Sequence, residues 1–178
     1  MKKIFCWVIG YVLFLSGCGY TTRAFISKNY RTIYIAPFEN KIDIAKETES
    51  IQRYKLYQPL LERDIQETVI NRINLDGNLK ISDEDNADLI LKGAVLDFRR
   101  DALRYLENDE VEEYRITITA SIQLEDKNKN ILIKSTDIIG DATYFLSGPN
   151  AKNEPLAIRD ALDDLARRIL ERIIENYQ

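Results

Sequence analysis

The stretch VEEYRITITASIQLE, Val111–Glu125, decides the fold class because apolar and polar residues alternate along most of its length. Every second residue from Tyr114 to Leu124 is apolar or aromatic, whereas the residues between them, Arg115 to Gln123, are all polar. A period of two predicts a β-strand with one buried face and one polar face. We therefore expect a sheet that is covered by other elements on one side only.

Extended stretches flank this strand on both sides and predict further strands of the same sheet. Their ends coincide with turn-forming residues and with Pro37. Strands of about 15 residues could reach about 50 Å at about 3.3 Å per residue, so we expect the sheet to project beyond its helices and to meet a partner there. The predicted strands are Arg31–Phe38, Ala87–Tyr105, Val111–Glu125 and Ile131–Phe145. Leu79–Ile81 is expected to be either a short strand or the lead-in to a β-turn, and Glu39–Glu49 is expected to be a loop.

Two amphipathic helices complete the predicted domain. The first spans Gln58–Asp76, with Pro59 in its first turn and Gly77 just after its end. The second begins near Asn153 and runs almost to the C-terminus. Two helices can cover one face of a sheet of about four strands, so the expected fold is a two-layer α+β sandwich with a largely antiparallel or mixed sheet and the order β-α-β-β-β-α.

The N-terminus predicts an export signal. Lys2 and Lys3 precede the apolar run Ile4–Leu15, which is short for a membrane span and has the size of a signal-peptide core. The run ends in Leu15-Ser16-Gly17-Cys18, which resembles the lipobox in which the cysteine thiol is lipidated and becomes the mature N-terminus. An ordinary signal peptide or an uncleaved anchor with a chance cysteine is the alternative.

From this motif we expect three parts: a lipoprotein signal peptide at 1–17, a lipidated tether at 18–30 and a folded domain at 31–178. Acyl chains on Cys18, at about 0.8 kcal/mol per buried CH₂, would hold the domain at a membrane surface outside the cytoplasm. Gly19 stands where enteric lipoproteins retained in the inner membrane carry Asp, which favours the outer membrane.

Composition excludes several classes of function. Lys and Arg total 25 and Asp and Glu total 29, so the chain lacks the basic excess of a general nucleic-acid binder. It contains no His and only two Cys, which removes His-based catalysis and Cys-rich metal sites. The acidic run Asp83–Asp85 lacks the spacing of a calcium loop, and the neighbours Glu112 and Glu113 point to opposite faces of a strand. We expect no enzyme activity and no cofactor.

The order of elements behind a lipobox resembles the LptE family of lipopolysaccharide-assembly lipoproteins. The fragments that carry the resemblance follow one another over nearly the whole expected mature chain. They are Cys18-Gly19-Tyr20, Ile33–Asn40, Ala87–Gly93, Glu113–Ile116 and Leu165-Ala166.

The resemblance implies a role in lipopolysaccharide export. LptE-like proteins lie inside the large outer-membrane β-barrel LptD at one copy per barrel, help it to fold, plug its lumen and contact lipopolysaccharide. The resemblance therefore implies a lipid-anchored protein on the periplasmic side of the outer membrane, with an LptD-like barrel and lipopolysaccharide as partners. The alternative is another α+β outer-membrane lipoprotein that regulates a cell-wall synthase or supports a secretion pore.

The resemblance also implies which residues contact lipopolysaccharide, whose phosphates favour Lys and Arg. Ala151-Lys152-Asn153 matches the basic loop before the last helix, so Lys152 is one candidate. The hairpin tip Glu107–Asp109 is acidic, and the nearest cation there is Arg104, which is the second candidate. Independently, Arg99, Arg100 and Arg104 cluster on one strand, either as an anion contact or as a strand end neutralised by neighbouring acids.

Overall fold

The computed structural model describes residues 30–42 and 59–175, and these ranges contain six strands, two α-helices and one short 3₁₀ turn at Glu84–Asn86. The expected signal peptide, the lipidated Cys18 and nearly all of the tether lie outside the described residues. The strands are β1 Thr32–Ile35, β2 Glu39–Asn40, β3 Lys80–Ile81, β4 Leu89–Tyr105, β5 Val111–Asp126 and β6 Ile131–Phe145, and the helices are α1 Leu61–Asp76 and α2 Glu154–Glu175.

One mixed sheet organises the domain. Its strand order is β3-β1-β4-β5-β6, in which β1 runs parallel to β3 and β4 and the three long strands form an antiparallel meander. The sheet has more strands than the four expected, partly because β2 lies in the segment predicted as a loop. Pro37 ends β1, but the chain stays beside β4, where the Lys41 N–H donates to the Val95 carbonyl at 2.9 Å.

Both helices pack on the same face of the sheet, as the sequence predicts. Helix α2 lies against β5 and β6, and α1 lies beside α2 near β3 and β4. The apolar residues of β5 from Ile116 to Leu124 face this layer and are almost fully buried. The two-layer α+β class is therefore confirmed, with six strands in the sheet where about four were expected.

The ends of the helices follow local backbone chemistry. Helix α1 begins at Leu61 rather than Gln58, because Leu60 takes a left-handed conformation with φ 61°. It ends as predicted at Gly77, whose φ of 74° lets its N–H donate to the Ile73 carbonyl at 3.0 Å. At α2, the Asn153 side chain accepts the Leu156 N–H at 3.0 Å and caps the helix.

Two glycines allow unusually close packing on the helix side of the sheet. A Cβ at Gly93 would lie 2.2 Å from the Phe38 ring, which folds over β4 after β1 ends. A Cβ at Gly140 would lie 2.5 Å from the Leu165 Cβ and 2.6 Å from the Ala161 carbonyl oxygen. Residue size at these positions therefore sets how closely Phe38 and α2 approach the strands.

Neither of the helices within the described ranges is both long and apolar enough to cross a bilayer.

Candidate functional site

The sheet face opposite the helices is polar, and no helix of the described ranges covers it. Every second residue of β5 from Arg115 to Gln123 lies on this surface, which we call the open face. Cross-strand polar contacts link its strands, among them the pair of Ser121 and Ser135 hydroxyls at 2.7 Å. A polar sheet face on long strands suits contact with a hydrated protein surface, where direct and water-mediated hydrogen bonds dominate.

Glu125 anchors one end of the open face. Its carboxylate accepts hydrogen bonds from Lys92 Nζ at 2.8 Å and from Gln123 Nε2 at 2.6 Å. The hydrogen bond from Lys92 is the largest influence and lowers the pKa of Glu125, with burial opposing it and Gln123 adding to it. The open face is therefore held by charge-assisted hydrogen bonds across strands.

The other end of the sheet projects past the helix layer. The position of Glu154, the first residue of α2, shows where the helix layer begins. Its carboxylate is 2.5 Å from the guanidinium of Arg100, so α2 starts beside Arg100 of β4. Strand β4 runs on from there to Tyr105, and exposure rises to 41% at Leu103 and 60% at Tyr105. The expected projecting hairpin is therefore present in the structure.

Several large apolar side chains are exposed around this projecting end. This group of exposed apolar side chains at one end of the domain is more informative than a single exposed residue, because exposed apolar surface that gathers in one region is typical of interaction sites. It comprises Leu103, Tyr105, Leu106, Leu146 and Leu156, each between 41% and 60% exposed.

A pocket of about 440 Å³ lies where the hairpin meets the start of α2. The ring of Tyr114 stacks on Tyr144 with centroids 5.7 Å apart, and the Arg100 guanidinium lies 4.8 Å from the Tyr114 centroid. We call this concavity the end pocket; its size falls in the range of small-ligand sites. Its wall residues are Arg100, Tyr114, Tyr144, Leu146, Ala151, Lys152, Asn153 and Glu154.

Glu154 controls the charge of the end pocket. Burial lowers the pKa of Arg100, but the hydrogen bond and charge of Glu154 outweigh it, so the Arg100 pKa is raised and the guanidinium stays charged. The Tyr144 hydroxyl donates to the same carboxylate at 3.3 Å, and burial followed by the Glu154 charge raises the Tyr144 pKa. The Arg100 cation of the pocket is therefore held over the Tyr114 ring and paired with the Glu154 carboxylate.

Lys152 and Arg104 both contact Phe145, but the structure does not place them in the same pocket. Lys152 lines the end pocket, its Nζ pairs with Asp160 at 2.7 Å, and its backbone N–H donates to the Phe145 carbonyl at 3.1 Å. Arg104 lies 5.7 Å from the Phe145 ring centroid and 3.7 Å from the carboxylate of Glu113. Phe145 thus separates the two sequence-predicted cations.

The basic cluster of β4 divides between the two faces of the sheet. Arg99 points to the open face and pairs with Asp97 at 2.7 Å, whereas Arg100 points to the helix side. Of the acids expected to neutralise the cluster, Asp97 does so, but Glu154, Glu112 and Glu113 supply the other contacts. Strand alternation in the sequence already implies this division, whereas the Arg100–Glu154 pair is a tertiary contact that no local pattern predicts.

Within 30–42 and 59–175, no group of three Asp, Glu, Cys or His side chains is placed to hold a metal ion. Cys18, the predicted lipid attachment site, lies outside these ranges.

Comparison with known families gives one match over most of the chain. The family model LptE, described as lipopolysaccharide-assembly, matches residues 30–173. No curated protein matches the chain significantly.

Solved structures share the fold at low sequence identity. A minor lipoprotein from Acinetobacter baumannii is 22% identical with a TM-score of 0.50, covering 83% of this chain and 92% of its own. A hypothetical protein from Chlamydia trachomatis is 14% identical with a TM-score of 0.52, covering 83% and 98%. An uncharacterized lipoprotein B from Nitrosomonas europaea is 16% identical with a TM-score of 0.50, covering 87% and 90%. These likenesses support the fold alone.

Proposed function

The chain belongs to the LptE family of lipopolysaccharide-assembly lipoproteins, and on that premise we propose that it plugs an LptD-like β-barrel at one copy per barrel. In this role it helps the barrel to assemble and assists the passage of lipopolysaccharide to the cell surface. The family acts in assembly without catalysis, so the side chains described above are assigned binding roles and no catalytic ones.

The open face is the observation that carries this proposal. A sheet of long strands with helices on one side leaves a polar surface that suits water or a hydrated partner rather than a second apolar layer. The projecting hairpin adds length, and the exposed apolar group around it adds surface to be covered. The lumen of a barrel has tall, hydrophilic walls that would match the polar open face and the length of the projecting hairpin.

Acyl chains on Cys18 are the proposed attachment to the outer membrane. The domain then lies on the periplasmic side at the mouth of the barrel and enters the lumen from there. Lipid attachment also raises the local concentration of the domain at the membrane where the barrel assembles.

The test is co-purification from detergent-solubilised outer membranes through a tag at the C-terminus. We expect a β-barrel of LptD size at one copy per chain. Ile139→Arg places a charge on the open face, at a residue 47% exposed, and should reduce the recovered barrel severalfold. Asn86→Arg, an exposed residue in the turn before β4, is the matched control and should recover the wild-type amount.

Recovery of a peptidoglycan synthase or a secretion pore in place of the barrel would favour the alternative function. Equal recovery of the barrel with both variants would remove the open face from the proposed interface.

For lipopolysaccharide, we propose that Lys152 and Arg104 contact its phosphates at the projecting end. Lys152→Gln and Arg104→Gln should each weaken binding of purified lipopolysaccharide severalfold, because each removes one charged donor to phosphate. Lys80→Gln, an exposed lysine on β3, is the matched control. All three variants should keep the free energy of unfolding within about 1 kcal/mol of wild type, since the ion pairs of Arg104 and Lys152 are surface-exposed and Lys80 makes none with another described residue. Unchanged binding in the first two would exclude these residues while leaving the barrel proposal standing.

A further inference from the structure

A second large concavity lies between the two helices, apart from the open face and the end pocket. It has a volume of about 490 Å³ and is formed by one stripe of α1, including Asp64 and Glu67, and one stripe of α2, from Pro155 to Asp163. We call it the helix groove. It is open to solvent along the surface of the helix layer, so a partner could reach it without any change in the fold.

The floor and walls of the helix groove differ in chemistry. Ile158 and Leu162 belong to the apolar stripe of α2, yet they retain 8% and 7% exposure and form the floor. The walls carry the carboxylates of Asp64, Glu67 and Asp163 against a single guanidinium, that of Arg159. The groove is therefore an apolar trough with a net negative rim.

In the part of the chain that the structure describes, the three carboxylates of the rim face only one guanidinium in the groove lining, so the rim is net negative. Within the described residues, the side chains of Glu67 and Asp163 take part in no ion pair or side-chain hydrogen bond, whereas the next residue of α2, Asp164, is paired with both Arg167 and Arg168. Burial, followed by the neighbouring charge of Glu67, raises the pKa of Asp64, against an opposing effect of the Arg63 charge. On α2 the neighbouring carboxylates of Asp160 and Asp164 are thus paired with cations, whereas Asp163 in the groove makes no ion pair with a described residue.

We propose that the helix groove docks a polypeptide segment of the barrel partner that carries Lys or Arg. The inference rests on the proposed function and adds a second contact, on the helix layer. Lys and Arg fit such a trough because their aliphatic stems can lie on Ile158 and Leu162 while the cationic heads reach the carboxylates of the rim. Charge complementarity of this kind fixes register and partner choice.

Charge reversal tests the proposal on the full chain in detergent-solubilised outer membranes. The double variant Glu67→Lys and Asp163→Lys should recover roughly three- to tenfold less barrel at low salt, and the deficit should shrink as added salt screens the repulsion. The control Glu84→Lys and Asp85→Lys makes the same charge change on an exposed turn and should recover the wild-type amount. Equal recovery with both double variants would overturn the docking assignment.

Photo-crosslinking distinguishes this inference from the proposed function itself. A crosslinking residue at Asn71, which lines the groove, should form an adduct with the barrel, whereas one at Arg63, an exposed residue of α1 outside the groove, should not. A wild-type complex that forms with no adduct at Asn71 overturns the groove and leaves the plug role intact. Failure of wild-type protein to recover any barrel overturns both.

Discussion

At the scale of single residues, the absence of a side chain at Gly140 determines how closely α2 lies on the sheet. The Leu165 and Ala161 atoms that a Cβ would meet belong to the rigid backbone side of the helix rather than to flexible side-chain ends. The close approach therefore cannot be relieved by rotating a side chain.

We expect Gly140→Ala to lower the free energy of unfolding by about 2 kcal/mol, the usual range for forcing a methyl group into a packed interface. Urea titration followed by circular dichroism measures the change. Thr143→Ala on the same strand is the control, because Thr143 is exposed, and should change stability by less than about 0.5 kcal/mol. A loss for Gly140→Ala as small as that expected for Thr143→Ala would mean that the contact with α2 tolerates the extra methyl group.

A single carboxylate ties β1 to the start of β4. Asp88 Oδ2 accepts the Arg31 N–H at 2.8 Å, the Thr32 N–H at 3.1 Å and the Thr32 hydroxyl at 3.0 Å. The hydrogen bond from Arg31 is the largest influence and lowers the pKa of Asp88 below its ordinary value of 3.8, against an opposing effect of burial.

This lowered pKa predicts a pH dependence of stability. Because the folded state favours the charged carboxylate, its contribution is fully present above about pH 4 to 5 and is lost as pH falls through the lowered folded pKa. At pH 7, Asp88→Asn should cost roughly 1 kcal/mol of unfolding free energy, a modest value because the site is partly exposed. Denaturant titrations of both proteins from pH 7 to pH 3 should give a difference that narrows below about pH 4. A constant difference would contradict the role of the charge.

The sequence predicts residue roles well where a strand period applies. Alternation assigned the buried and open faces of β5 correctly, and the same rule separates Arg99 from Arg100. The alternation rule could not predict the contact between Glu154 and Arg100. These residues are 54 positions apart in the sequence, and the rule describes only neighbours within one strand. The candidate site was accordingly predictable as a region, whereas its pocket was not.

At the scale of elements, the N-terminus of α2 supports the wall of the end pocket. Asn153 caps this helix, and the next residue, Glu154, holds Arg100. Loss of the cap would therefore loosen both the helix end and the pocket.

Asn153→Ala should lower the free energy of unfolding by about 1 kcal/mol, the typical cost of removing an N-cap. Asn153→Asp, which retains the capping oxygen, should restore most of the loss. Thermal or urea unfolding of the two variants provides the comparison. If both variants lose the same stability, the side-chain cap is not what stabilises this helix end.

Long elements were predicted closely, whereas of the two-residue strands β3 was anticipated and β2 was not. The stripe of α1 and the end of that helix at Gly77 follow from helical period and glycine chemistry, and β6 has the predicted bounds. Strand β2 has only two residues, too few to show an alternation of polar and apolar residues in the sequence. Its pairing depends on β4, which runs beside it. The start of α1 moved because Leu60 adopts a left-handed conformation that no sequence rule anticipates for leucine.

At the scale of the whole molecule, the domain presents surfaces of different chemistry in different directions. The open face is polar, the projecting end combines exposed apolar residues with Lys152 and Arg104, and the helix layer carries an acidic groove. A protein enclosed by another would need to present such distinct surfaces at once, which a free globular domain does not require.

The proposed anchor gives a prediction at this scale. Cys18→Ala should move the protein from the outer-membrane fraction to the soluble periplasmic fraction or block its processing, since the acyl chains would be lost. Fractionation followed by mass spectrometry of the N-terminal peptide measures both. An unmodified Cys18 in the wild-type protein would contradict lipidation directly.

The parallel pairing of β1 with β4 has a consequence for the order of folding. The hairpins β4–β5 and β5–β6 close through short turns, whereas Ile33 must find Leu89 across a long intervening chain. Local hairpins form in microseconds, but distant parallel pairings carry a larger loop-closure entropy and form slowly. The meander should therefore assemble first as a nucleus, and the N-terminal strand should dock on it last, as a kinetically separate step in refolding.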